Sequence, residues 1–306
     1  MRSARKRGLA GAAALGVLTA ALSGCAGSSS GGTGPAGPTV VTSTTQTEDF
    51  ARHVLGNRGE VVGLLKPNQS PHHHETTPSD LAKIGKADVV VHGGAGSVDS
   101  WLPSAVQAAG FKGEQTDAAA GAHLRTRVKD GKVEDDPHIW HNPENAKTMV
   151  RNISASVQRQ DPEHKQEYER NAQEYLGQLD GLEAEVRGAV DAIPPQQRKL
   201  VTTHGAFGYF SDHYGVDFVG SVIPSFDDQA EQSSKQIDEF VATLKRSGAK
   251  AIFTEANIPP DVVRAVGDEA GVKIVTDPLH SDNNAPGLDY IATEKHNARV
   301  ITSNMR

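Results

Sequence analysis

The chain has 306 residues, of which 37% are hydrophobic and 23% are charged, and this is enough for one or two globular domains with hydrophobic cores. The single apolar run that approaches membrane length lies at the N-terminus, which excludes a protein with several membrane-spanning segments. The formal charge is −7, and since residues 1–24 hold four cations and no acid, the remainder sets 27 cations against 38 acids. This acidic body argues against nucleic-acid binding.

The first 38 residues are typical of a secretory signal followed by a tether. Residues 2–7 are mostly basic, residues 9–22 are apolar, and Leu22-Ser23-Gly24-Cys25 follows at once. This segment resembles a bacterial lipobox, which implies that residues 1–24 are a lipoprotein signal peptide and that Cys25 is lipidated. The alternative is a free cysteine beside an ordinary cleavage site. Residues 25–38 are nearly all Ala, Gly, Ser, Thr and Pro, a composition that predicts a flexible tether.

From Thr39 onward, β-branched runs alternate with helix-like stretches, a pattern that predicts βα units. In the first half we predict strands at 40–42, 61–65 and 88–92 and helices at 48–55, 79–83 and 102–109. In the second half we predict strands at 200–203, 218–223, 251–254 and 272–276 and helices at 207–213, 233–245 and 260–270. The fold class is therefore predicted to be α/β, with two lobes built on central sheets.

A helix-rich stretch lies between the two series, interrupted only by Asp161-Pro162. After Pro162, apolar residues recur every three or four positions, which indicates one long amphipathic helix. About 28 helical residues would span roughly 40 Å, the length of a domain. We therefore predict an N-terminal lobe at 39–160, a linking helix at 161–193 and a C-terminal lobe at 194–306.

Four short stretches carry the residues that indicate chemistry. They are PHHHETTPSD (71–80), DPHIWHNPENA (136–146), THGAFGYF (203–210) and TDPL (276–279), and each follows a predicted strand or begins a predicted helix. Ligands of open α/β sheets bind at the carboxyl ends of strands, so these side chains could meet between the lobes. Three neutral imidazoles and one carboxylate make a tetrahedral site for a divalent ion, and such a site needs no cysteine.

Together with IFTEANIPP (252–260), these motifs resemble the cluster A-I metal-binding lipoproteins of bacterial ABC transporters. This zinc and manganese group includes the periplasmic zinc-uptake solute-binding proteins. The resemblance covers essentially all of residues 39–306 and implies two α/β lobes joined by one rigid helix, with the metal at the lobe interface. Carried over by position, it implies a ligand set with no catalytic residue: His72, His138, His204 and Asp277.

Several positions leave alternatives open. Ser70 stands where the family usually has an acidic residue, and His73 or His74 could replace the first ligand if the loop is shifted by a residue. His141, where the family tends to be apolar, is an outer-shell group, an auxiliary ligand or a solvated residue. Glu255 either supports a metal-bound imidazole, serves as a direct ligand, or is an exposed acid at a strand end.

The resemblance implies an extracytoplasmic solute-binding protein that captures a divalent ion and delivers it to an ABC permease. We expect a monomer held at the cell membrane by the lipid on Cys25. Manganese-favouring relatives tend to offer two histidines and two carboxylates, so His204 favours Zn²⁺, with Mn²⁺ as the alternative. No His-Glu-x-x-His helix or serine nucleophile motif is present, and we therefore expect no enzyme. A zinc hydrolase and a surface adhesin on the same scaffold are the competing classes.

Overall fold

The computed structural model describes residues 37–95, 98–129, with the backbone alone for Lys129, and 131–306. The predicted signal peptide, Cys25 and residues 25–36 of the tether lie outside this part of the chain. Among the residues that the structure describes, no helix combines the length and the apolar content that a membrane span requires.

The first lobe is built on a four-stranded parallel sheet of order β2-β1-β3-β4. Its strands are β1 (Thr39–Thr42), β2 (Glu60–Gly63), β3 (Val89–His92) and β4 (Glu114–Asp117), and the helices between them are α1 (Thr45–Leu55), α2 (Pro78–Ile84) and α3 (Leu102–Ala108). Runs of valine form β1 and β3, which are buried as a parallel sheet between helices requires. Strand β4 was not predicted because its sequence, EQTD, contains only one β-branched residue.

The middle of the chain begins with an antiparallel hairpin, β5 (Thr126–Lys129) and β6 (Lys132–Asp135). A 3₁₀ turn (Ile139–His141) leads to α4 (Pro143–Gln160), whose first turn is capped by the Asn142 side chain. Helix α5 (Lys165–Asp191) follows after the Asp161-Pro162 interruption. Proline explains this break, because it cannot continue the hydrogen bonding of α4.

The second lobe repeats the arrangement of the first. Strands β7 (Lys199–Thr202), β8 (Asp217–Ser221), β9 (Ala251–Glu255) and β10 (Lys273–Leu279) form a parallel sheet of order β10-β9-β7-β8. The helices are α6 (Gly208–Tyr214), α7 (Ser234–Ser247), α8 (Asp261–Ala270) and α9 (Tyr290–Asn304). Strand β10 extends three residues beyond the end predicted for it, at residue 276, and this changes the location of one candidate ligand.

Helix α5 connects the two lobes. It packs against α1, α4 and α9 through its buried face: Tyr168, Ala172, Tyr175, Leu176, Leu179, Leu182, Val186 and Val190. The largest hydrophobic core includes this face together with residues of both sheets, such as Val40 and Leu200. Two α/β lobes joined by one long helix are therefore confirmed, whereas the residue numbers at which we divide the lobes stay a prediction.

Candidate metal centre

Four side chains from the two lobes converge at one buried point: His72, His138, His204 and Asp282. His72 lies in the segment between β2 and α2, residues 64–77, which we call the His72 loop, and His138 directly precedes the 3₁₀ turn. His204 and Asp282 follow β7 and β10. The donor atoms all lie within 4.8 Å of one another.

The distances within this set match the spacing of ligands around a small ion. Asp282 Oδ1 lies 3.1 Å from His138 Nε2, 3.6 Å from His72 Nε2 and 3.7 Å from His204 Nε2. The Nε2 atoms of His138 and His204 are 3.3 Å apart. Donors bonded at about 2.0–2.1 Å in a tetrahedron would be separated by about 3.3–3.4 Å. The four groups are thus arranged closely enough to bind one ion without large rearrangement.

The donor atoms are also shielded from water. The side chains of His138, His204 and Asp282 are fully buried, and that of His72 is 4% exposed. His72 Nε2 is buried and has no hydrogen-bond partner among the residues that the structure describes. A buried polar atom without a partner is costly in free energy, and a cation at the centre of the set would satisfy it.

His138 is oriented by Asp136. The Nδ1–H of His138 donates to Asp136 Oδ1 at 2.9 Å, and its backbone N–H donates to the same oxygen at 3.1 Å. Arg125 Nη1 donates to the other oxygen of Asp136 at 2.9 Å. Burial opposes the charged form of His138, but its bonds to Asp136 and Asp282 outweigh that effect and raise its pKa. This arrangement fixes the tautomer that directs the Nε2 lone pair at the centre.

His204 is oriented in the same way by Glu255, the last residue of β9. The carboxylate accepts from His204 Nδ1 at 2.5 Å and from its backbone N–H at 2.8 Å. Burial lowers the pKa of His204, but the charges of Glu255 and Asp282 raise it well above its ordinary value. Gly205 allows this path after β7, because a Cβ at this position would lie 2.8 Å from the carbonyl oxygen of Ser225.

Asp282 offers a single oxygen to the centre. Its Oδ2 accepts from Asn257 Nδ2 at 2.7 Å and from Ser281 Oγ at 3.2 Å, which leaves Oδ1 directed at the histidines. Burial raises the pKa of Asp282, but the neighbouring His204 and the hydrogen bonds from the histidines hold it well below its usual range. The carboxylate is therefore ionised in the folded protein.

The charges around the centre favour a divalent cation. Three carboxylates, Asp136, Glu255 and Asp282, have fully buried side chains, and one guanidinium, that of Arg125, forms a salt bridge with Asp136. With neutral imidazoles, three negative charges against one positive charge leave a formal −2. Burying an uncompensated charge is expensive, so an ion of charge +2 would be strongly favoured at this position.

Asp277, predicted as the fourth ligand, lies outside the cluster. It sits within β10, and its side chain is 52% exposed, 3.8 Å from His296 Nε2 and 3.6 Å from Arg299 Nη2. The structure does not bring Asp277 to the cluster, because the strand does not end before Asp277 but continues to Leu279, which pairs with Glu255 across an irregularity. The carboxylate beyond the true end of the strand is Asp282.

The remaining candidate histidines have other partners. His73 contacts Asp227 at 2.7 Å, and the His74 ring packs on Trp101 with centroids 4.4 Å apart. His141 is buried rather than solvated: its Nδ1 lies 3.1 Å from Glu294, and its Nε2 lies 3.0 Å from the Ser281 carbonyl oxygen. It therefore contacts the segment that presents Asp282 and is not itself in the cluster.

Three residues of the centre were missed by the sequence analysis. Asp136 was visible within the motif DPHIWHNPENA, two residues before His138, and a role as its hydrogen-bond acceptor could have been predicted from that spacing. Asp282 required knowledge of where β10 ends. The contact of Asn257 with Asp282 depends on the tertiary fold, and no local signal indicates it.

Comparison with known families identifies the family of this chain. The family model described as zinc-uptake complex component A, periplasmic (ZnuA), matches residues 40–304, almost the whole described chain. The chain belongs to this family. Its members are substrate-binding components of metal transport, and the predictions of that family and of a protein that is not an enzyme are confirmed.

Individual relatives carry the names of different metals. The manganese ABC transporter substrate-binding lipoprotein PsaA of Streptococcus mitis is 27% identical over 268 residues, covering 84% of this chain and 85% of the relative. The iron ABC transporter substrate-binding lipoprotein MtsA of Streptococcus pyogenes serotype M1 is also 27% identical, over 267 residues and the same shares.

Solved structures support the same fold. The periplasmic zinc-binding protein TroA from Treponema pallidum superimposes with a TM-score of 0.81 at 25% identity, covering 88% of this chain and 99% of its own. Fe(III)-bound YtgA from Chlamydia trachomatis gives a TM-score of 0.79 at 21% identity, covering 88% and 98%, and this likeness concerns the fold alone.

Proposed function

We propose that the protein captures Zn²⁺ outside the cytoplasm and delivers it to an ABC permease, acting as a monomer. The observation that carries this proposal is the donor set: three imidazole nitrogens and one carboxylate oxygen meet within 4.8 Å at the interface of the lobes. His72, His138, His204 and Asp282 are the proposed ligands, and Asp136 and Glu255 hold two of the rings in the binding tautomer.

The donor chemistry supports zinc over manganese. Zinc is commonly four-coordinate with nitrogen-rich ligands, whereas manganese favours six oxygen-rich ligands. Because Asn257 and Ser281 hold Oδ2 of Asp282, that carboxylate supplies one oxygen, and four donors in all surround the centre. Relatives named for manganese and iron are only 27% identical, so this local geometry is the stronger guide to the metal.

The metal content of the natively isolated protein tests this proposal. We expect mass spectrometry to find one zinc per chain, and we expect Zn²⁺ to displace Mn²⁺ in a competition titration. Cobalt loaded in place of zinc should give the intense visible absorption of a four-coordinate ion. Manganese in the isolated protein, together with a weak, six-coordinate cobalt spectrum, would assign the site to manganese instead.

The proposal includes a lipid anchor on Cys25. Relatives named as lipoproteins and the sequence Leu22-Ser23-Gly24-Cys25 support it. Cys25→Ser should release the protein from membranes, since the acyl chains of a lipoprotein provide firm attachment, while zinc binding should stay intact. Ser28→Ala, in the same polar segment, is the control. Unchanged membrane fractionation of Cys25→Ser would reject the anchor without affecting the metal assignment.

A further inference from the structure

A second group of potential ligands lies beside the metal centre, and we call it the outer cluster: His73, Asp227 and Asp228. His73 comes from the His72 loop, and the two aspartates come from the segment between β8 and α7. His73 Nε2 lies 2.7 Å from Asp227 Oδ1 and 3.5 Å from Asp228 Oδ1. One donor atom from each residue lies within 4.8 Å of the others, so all three can reach one ion.

Asp228 gives this cluster a buried negative charge. Its side chain is 2% exposed, and the hydrogen-bond donors to its two oxygens are neutral: Ser70 Oγ at 3.1 Å and Asn257 Nδ2 at 2.8 Å. Within the described chain, no lysine or arginine forms a salt bridge with Asp228. Burial and the charge of Asp282 raise its pKa, as expected for a carboxylate that lacks sufficient positive charge nearby.

Asn257 connects the outer cluster to the metal centre. The same Nδ2 group donates to Asp228 Oδ2 at 2.8 Å and to Asp282 Oδ2 at 2.7 Å. One amide therefore separates two buried carboxylates that belong to different clusters. A cation bound on the Asp228 side would offset the repulsion between these carboxylates, which the neutral amide only partly relieves.

We propose that the outer cluster is a second binding site for a divalent cation, weaker than the metal centre and able to exchange with solution. This inference rests on the proposed zinc-binding function, and Zn²⁺ is the ion to which we assign it. One imidazole and two carboxylates are ordinary zinc ligands, and three protein ligands leave a position for water.

The exposure of the side chains is the reason that the outer cluster should bind zinc more weakly than the metal centre. The side chains of Asp227 and His73 are 46% and 38% exposed, whereas that of Asp228 is almost fully buried and that of Asp282 is fully buried. An ion in the outer cluster contacts solvent on one side and is one amide group away from the metal centre on the other. The outer cluster thus receives zinc at the surface, adjacent to the centre that retains it.

The test is a titration of the purified full-length apo protein with ZnCl₂, followed by calorimetry and by the imidazole NMR signals of the histidines. We expect one tight and one weaker equivalent, with the His73 signals shifting during the second. His73→Gln and Asp227→Asn should each weaken the second equivalent by at least about tenfold, because each removes one of three protein ligands. Both residues are partly exposed, so these variants should fold.

Two further variants separate this inference from the proposed function. His204→Gln should abolish the tight equivalent and retain the weaker one, while His123→Gln, at an exposed histidine outside both clusters, should change neither. The inference is overturned if the wild-type protein binds a single equivalent, or if the second equivalent is unchanged in His73→Gln and Asp227→Asn. If the wild-type protein binds no tight equivalent of zinc, that result would instead contradict the proposed function.

Discussion

The metal centre consists of two unlike parts. Three of the groups, His138, His204 and Asp282, each have a second hydrogen-bonding atom held by a neighbouring side chain. These neighbours are Asp136, Glu255 and Asn257 respectively. No such hydrogen bond to the ring of His72 is found among the described residues, its Nε2 is buried without a partner, and it lies in a loop. We therefore expect three donors to be positioned before an ion binds and the fourth to gain its main polar partner from that ion.

Hydrogen bonds hold the backbone of the His72 loop beside His72 and do not involve the His72 ring. Trp101 Nε1 donates to the Pro71 carbonyl at 2.9 Å, and Asn283 Nδ2 donates to the Gln69 carbonyl at 2.7 Å. These single hydrogen bonds contrast with the continuous hydrophobic core that joins the lobes through α5. We therefore expect movement of the loop to release the ion more easily than separation of the lobes.

The largest effect is expected from removing a supported donor. Asp282→Asn should weaken zinc binding by about 10²–10³-fold, because it removes one of four ligands, and structural zinc sites in zinc-finger peptides bind with about 10–16 kcal/mol in total. Chelator competition at pH 8 would measure the loss. Asp277→Asn is the matched control and should change the affinity by less than about twofold, since its carboxylate is exposed on β10. The reverse ranking of the two variants would identify Asp277 as the ligand.

Lowering the pH should produce the next largest effect. Only a neutral imidazole binds the ion, and the pKa values of His138 and His204 are both raised above 6.5. As the pH falls through these raised values, both rings become protonated and the affinity decreases, whereas Asp282, with its lowered pKa, stays ionised. Two displaced protons correspond to about a 100-fold loss of affinity per pH unit in that range.

The pH at which the loss begins distinguishes this prediction from simple imidazole titration. Zinc affinity measured by chelator competition between pH 8 and pH 5 should begin to fall above pH 6.5 rather than below it. Proton release measured in weakly buffered solution should accompany zinc binding at neutral pH. An affinity that stays constant down to pH 6 would show that the supported histidines are neutral in the apo protein.

A smaller effect is expected from changing Glu255, which accepts a hydrogen bond from the His204 ring. Glu255→Gln preserves the shape of the side chain but removes its charge, and it should weaken zinc binding by about 10–100-fold at pH 8. The pKa of His204 should fall at the same time, because the charge of Glu255 contributes to raising it. Glu60→Gln, at an exposed position of β2, controls for the loss of a carboxylate elsewhere. Equal affinities for Glu255→Gln and wild type would remove Glu255 from the binding machinery.

Periodic sequence features predicted the framework well, and local features predicted only part of the site. The spacing of apolar residues in α5 predicted its buried face, because helical geometry alone brings these residues to one side of the helix. The position of Asp277, outside the cluster, shows the limit of this reasoning. Asp277-Pro278 reads locally as a turn, yet pairing with β9 extends β10 through it. The outer cluster joins residues 154 positions apart, and only the folded chain brings them together.

The smallest change is expected in hydrogen exchange, and it tests the contrast between loop and lobes directly. On zinc binding, amides of the His72 loop should become more protected, because the ion supplies the missing partner of His72 Nε2. Amides of α5 should change little, since its buried face belongs to the core shared by both lobes. Apo and zinc-bound samples of the same preparation provide the comparison. Increased exchange across the α5 interfaces in the apo protein, with an unchanged His72 loop, would show that the lobes separate and that the loop is the rigid part.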